Sequence, residues 1–211
     1  MKRAPVDAVV LQWNLDGEKG FRYAMSSTLS TEGETPVAVS GTVQLLPLGE
    51  GRAEVRQTMQ PVSGPGAAAI KTFVVDELGR IEEPEQHMQN ALRLVFPMLD
   101  APLASGEMHE ETTVVQDAGG TAETRGLTLL GIVGFSKVSG RKCAVVALDH
   151  EARVWAGEPL AQTGSERDLQ LLGYFDVEAR RYVAVAIRDT TVHGDGKSRT
   201  EQLSTYVLKG L

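Results

Sequence analysis

A succession of stretches of alternating apolar and polar residues, each bounded by Gly, Asp, Ser or Asn, runs along this chain and constrains its fold more than any other feature. A period of two puts one face of a strand in a core and the other in water. Short turns between the stretches make neighbours antiparallel. Val9, Leu11, Trp13 and Leu15 share one face of a first strand. Beyond Asp16-Gly17-Glu18-Lys19-Gly20, Phe21, Tyr23 and Met25 share one face of a second, and the two are expected to form a hairpin. Thr31-Glu32-Gly33-Glu34 leads into a third strand over 36–46, and Gly49-Glu50-Gly51 into a fourth over 52–60. A fifth is expected at 70–75, and after Gly106 six more at 108–116, 122–137, 142–155, 169–176, 182–192 and 200–208. Several exceed the usual length of about five or six residues, and long strands in a meander curl into a barrel or half barrel instead of staying flat.

Two segments break the alternation. Pro61-Val62-Ser63-Gly64-Pro65-Gly66-Ala67-Ala68-Ala69 has glycines and prolines that forbid a regular ladder and side chains too small to anchor it, so 61–69 is expected to be a flexible flap. From Pro84 to Phe96 the period changes: Met88, Ala91, Leu92 and Val95 follow helical spacing, Glu82, Glu83 and Glu85 suit the start, and Pro84 fits a first turn. This predicts one amphipathic helix over 84–96, ended by Pro97, with 98–103 continuing as an apolar loop. The expected architecture is a single mainly β domain over 1–211, an antiparallel meander curled into an open or half β-barrel with that helix packed against it.

Lys plus Arg number 21 against 28 Asp plus Glu, a net charge of −7, so no global field attracts a phosphate backbone and nucleic acid is not an expected partner. Eleven scattered aromatic residues make no base-stacking platform. No apolar run approaches the roughly 18 residues that span a bilayer. The start Met1-Lys2-Arg3-Ala4-Pro5 lacks the apolar core of a signal peptide, which leaves a cytoplasmic protein or one whose leader has been removed. The single Cys143, in Cys143-Ala144-Val145-Val146-Ala147, reads as a small buried hydrophobe.

Phosphate-binding, dinucleotide-binding and hydrolase motifs are absent, so neither a cofactor nor a catalytic residue is expected. Glu107, His109 and Glu111 share one strand face and are the only tolerable ligand set, but a polar face turned to water explains them, and no metal is expected. What remains is the apolar strand faces and the helix stripe. They are either plain core or the lining of a cavity beneath a helical lid, where Trp13, Phe21, Tyr23, Met88, Leu92 and Val95 would surround an apolar ligand.

Several segments also carry a resemblance. Leu11-x-Trp13-x-Leu15-x-Gly17, Gly20-Phe21-Arg22-Tyr23-x-Met25, Phe96-Pro97-Met98-Leu99, Val138-Ser139-Gly140-Arg141-x-Cys143-Ala144-Val145 and Gly173-Tyr174-Phe175-Asp176 resemble an uncharacterised family of bacterial β-rich envelope proteins. The architecture this implies is similar to the lipoprotein-carrier (LolA-like) half barrel. After the helix, Gly106-Glu107-Met108-His109 departs from the Gly-Asp-x-Trp common in that family. The resemblance implies a periplasmic or outer-membrane-associated protein and supplies no catalytic residues. The expectation is therefore a non-catalytic extracytoplasmic binding protein for a lipid or lipoprotein acyl chain. The alternative is an interaction or structural module of a cell-envelope assembly with an envelope protein as partner.

Overall fold

A computed structural model describes residues 8–16, 20–63, 67–82, 91–116, 122–156, 162–194 and 198–210. The strands are β1 (Val9–Leu11), β2 (Phe21–Thr31), β3 (Val37–Gly49), β4 (Arg52–Pro61), β5 (Ala69–Asp76), β6 (Leu99–Leu103), β7 (Met108–Gln116), β8 (Ala122–Val138), β9 (Arg141–Ala156), β10 (Gln162–Asp176), β11 (Arg181–His193) and β12 (Arg199–Leu208). One short helix, α1, has the described span Ala91–Val95. The expected helix start and Met88 lie outside the described residues, as do 64–66 of the expected flap.

Ten strands form one antiparallel sheet in the order β5-β4-β3-β2-β12-β11-β10-β9-β8-β7. It is two meanders, β2 to β5 and β7 to β12, joined where β12 pairs with β2, for instance Tyr206 opposite Met25. The outermost strands β5 and β7 do not pair with each other, so the sheet is an open half barrel. Alternation assigns the faces: along β2, Phe21, Tyr23 and Met25 are buried while Arg22 is exposed. Because directly paired residues point the same way, one inner face collects Tyr23, Val43, Leu45, Val55, Val75, Val146, Leu148, Leu171, Val185 and Tyr206. Nearly all of these are within 5% of complete burial.

The inner face is covered at one end by a second layer. The expected hairpin between β1 and β2 does not form: β1 pairs with β6, Val9 opposite Leu103 and Leu11 opposite Leu99. Segment 98–103, expected to be loop, thus contributes a strand. The pattern Leu11, Trp13, Leu15 fixed which face is apolar but carried no information about the partner. Past β1 the chain is held by Trp13 N–H to Glu77 O (2.9 Å) and Asn14 N–H to Arg180 O (3.0 Å). Gly79 sits at φ 71°, a left-handed conformation that suits glycine, and the Trp13 ring lies 3.6 Å from where its Cβ would be. β10 also begins seven residues earlier than the expected 169, because Arg167 is satisfied across the sheet by Asp189.

Candidate functional site

The space between the helix and the sheet is where the inner face of this fold can hold something, and its centre is already occupied. Phe96, the residue after α1, is fully buried. Its ring lies 4.7 Å from Tyr23, 5.3 Å from Tyr206, 5.9 Å from Trp13 and 6.0 Å from Tyr182, measured between centroids. Pro97 follows, and its carbonyl accepts a hydrogen bond from the Tyr182 hydroxyl (2.7 Å). The Tyr182 carbonyl accepts from the Tyr23 hydroxyl (2.9 Å). Burial raises the hydroxyl pKa of both tyrosines well above the ordinary value, and burial of Tyr206 pushes its own up to about 12. These hydroxyls are neutral structural donors. The Tyr182 ring reaches its place because β10 carries Gly173 beneath it, where a Cβ would lie 2.7 Å from a ring carbon.

Unfilled space flanks α1 on both sides. Towards β3, β4 and β5 an apolar slot of about 100 Å³ is lined by Val43, Phe73, Ile81, Leu92, Val95 and Tyr206. Gln57 and Lys71, paired across β4 and β5, complete it. Towards β7, β8 and β9 a smaller cavity of about 50 Å³ lies under Arg93 and Leu94 and ends on a polar corner with His109, Glu111, Thr128 and His150. There His150 Nδ1 and Thr128 Oγ1 are hydrogen-bonded at 2.9 Å. Burial, then the nearby Arg167, holds the imidazole below its usual pKa against the opposing pull of Asp189. Glu111 pairs with Arg93 at 3.8 Å, tying α1 to β7. The corner continues along the inner face through the Arg167–Asp189 fork, 2.9 and 2.5 Å, to the hydrogen-bonded Ser27 and Ser204, 2.9 Å apart.

Of the residues expected to surround a ligand, Leu92 and Val95 line the slot. Trp13, Phe21 and Tyr23 are 1%, 7% and 0% exposed and are packed together: Phe21 stacks edge-on to Tyr23, and Trp13 and Tyr23 hold Phe96. They back the site instead of facing the helix across an open cavity. Met88 lies outside the described residues. Sequence reasoning missed Val43, Lys71, Phe73 and Ile81, although Lys71, Phe73 and Val75 share one face of β5 in the plain alternation of that strand. The Glu107, His109, Glu111 set is not brought to one point: Glu107 accepts the Ala104 N–H (2.8 Å) and Glu111 faces Arg93. Among the described residues no three His, Cys, Asp or Glu side chains form a metal-binding group. Cys143 is buried, and burial, followed by Asp176, raises its thiol pKa.

No family model matches the chain, and no curated protein matches it. Among solved structures it is similar to the hypothetical lipoprotein YmcC from Escherichia coli, at 11% identity over 90% of this chain and 85% of that one, TM-score 0.30. A DUF1329 family protein from Desulfovibrio piger matches at 9% identity over 90% and 85%, TM-score 0.23. A LolA superfamily protein from Nitrosomonas europaea matches at 9% identity over 92% and 88%, TM-score 0.22. Among the described residues no helix is long and apolar enough to cross a membrane.

Proposed function

We propose that this chain is a non-catalytic binding protein of the bacterial cell envelope that shelters a lipid or lipoprotein acyl chain between α1 and the inner face of the half barrel. The observation that carries the reading is the slot beside α1: six largely apolar side chains around unfilled space next to the buried aromatic cluster of the inner face. Close packing is the rule in protein interiors. The slot measures about 100 Å³. An apolar cavity of about 150 Å³ admits benzene, so an acyl chain needs more room than this. Phe96 and Pro97 pin the C-terminal end of α1, so the slot widens by a swing of the helix about that point, with Leu92 and Val95 moving away from Val43 and Phe73. Trp13, Phe21 and Tyr23 act as the rigid backing of the pivot. An envelope setting fits the motif resemblance, since an acyl chain crossing an aqueous compartment must be covered from water.

Native mass spectrometry of freshly purified protein beside its denatured mass, followed by solvent extraction, tests this. A mass surplus that vanishes on denaturation and matches an extracted lipid is the expected result. A bare monomer that also fails to take up added acyl chains would overturn it.

A second reading, an interaction module, rests on a different surface. Leu172, Leu203 and Val207 are 43%, 51% and 48% exposed on the outer face of β10 and β12. Leu172 and Leu203 border an open trough of about 510 Å³ floored by Ser26, Ala186 and Thr205. Concentration-dependent association that Leu203→Asp abolishes would favour this reading.

A further inference from the structure

We propose that the slot selects single-chain amphiphiles with an anionic head, and that Lys71 is the group that recognises the head. The inference rests on the acyl-binding reading and adds the ligand's polar end. Lys71 is exposed on β5, on the same strand face as Phe73, and lines the slot with Gln57 opposite it. Among the described residues no carboxylate lines the slot. Among the described residues Lys71 has no ion-pair partner, whereas Arg93 beside the other cavity is paired with Glu111 and Arg167 with Asp189. A cation at the rim of an apolar slot, with an amide beside it, is complementary to a carboxylate or phosphate attached to a hydrocarbon chain.

The protein's overall charge of −7 repels anions on average, so a local ammonium is what offsets that field where an anionic head would sit. The uncovered part of β5 offers a second explanation: a lysine turned inward on an edge strand discourages pairing with another sheet. That role predicts self-association on removal of the charge and no effect on which ligand binds, so the two explanations separate experimentally.

The test is calorimetric titration of the full chain with decanoate and with 1-decanol, which share a chain and differ in charge, at low salt and at high salt. The expected result is a preference for decanoate of about fivefold at low salt, shrinking as salt is raised. Lys71→Met and Lys71→Gln should bring the ratio of decanoate to decanol affinity to about one, whatever they do to the affinity for decanol itself. Circular dichroism of both variants shows that they are folded, and the polar Gln variant keeps the test valid if Met promotes aggregation. Equal binding of the two ligands by the native chain, or a preference that survives both substitutions, overturns the inference and leaves the acyl-binding reading intact. Binding of neither ligand overturns the acyl-binding reading and the inference with it.

Discussion

Replacing Phe96 by alanine should be among the most destabilising single changes in this protein. Its ring is fully buried and contacts four other aromatic rings, each contributed by a different part of the chain: Trp13 beyond β1, Tyr23 in β2, Tyr182 in β11 and Tyr206 in β12. Truncating a core Phe costs about 3–5 kcal/mol, because the lost transfer free energy is joined by that of a cavity the neighbours cannot close. Here the neighbours are rings on a sheet held by ladders on both sides, so the upper half of that range applies, about 4–5 kcal/mol. For a domain of this size each kcal/mol moves the melting temperature by roughly 2–4 °C, so a fall of about 12 °C is expected. The assay is thermal and urea unfolding by circular dichroism, with Trp155→Ala as control. Trp155 is half-buried and its recorded partner is Arg125, 5.3 Å from the ring, so its loss should cost about 1 kcal/mol. A Phe96→Ala cost no larger than that of the control would refute the claim that Phe96 is the plug of the inner face.

Three further outcomes follow from the same geometry. Tyr182→Phe keeps the ring but leaves the buried Pro97 carbonyl without its donor, and should cost about 1–3 kcal/mol in urea unfolding. Gly173→Ala drives a methyl into the Tyr182 ring and should destabilise, whereas Gly173→Ala combined with Tyr182→Ala should cost less than the sum of the two, which a double-mutant cycle measures. His150 is held neutral in the fold by burial and by Arg167, while the unfolded chain protonates near the ordinary value of 6.5. The unfolded state therefore binds the extra proton below that value, and stability should fall as the pH drops from 6.5 towards the lowered folded value, by at most about 1.4 kcal/mol per pH unit from this group. His150→Asn should flatten that part of the profile.

The sheet was legible because alternation and turn residues act locally. Met108 to Gln116 was bounded correctly from its own residues, as His109, Glu111 and Thr113 are half-buried between exposed neighbours. Pairing was less legible. β1 satisfies the same alternation whether it joins β2 or β6, and only the assembled inner face selects β6, where Leu11 and Trp13 can cover Phe96. The opening residues of β10 were hidden because Arg167 and Asp168 look like turn residues until the pairing of Leu169 with Asp189 brings that carboxylate diagonally within reach of Arg167. For the site, helical spacing picked out Leu92 and Val95, which do line the slot, yet nothing local distinguished them from Trp13 and Tyr23, which the fold commits to packing. The polar corner was invisible for a different reason. Thr128 and His150 are 22 residues apart and meet only because β8 and β9 pair in that register.

The account's central claim is that an acyl chain occupies the slot between α1 and strands β3 to β5. Val95 is partly buried and lines that slot, so Val95→Phe should fill it without disturbing the Phe96 plug. Decanoate titrated into this variant and into the native chain, with thermal unfolding of both in parallel, tests the claim most directly. Loss of binding in a variant as stable as the native protein is the predicted result. Undiminished binding by the filled variant would contradict the account and place the ligand elsewhere.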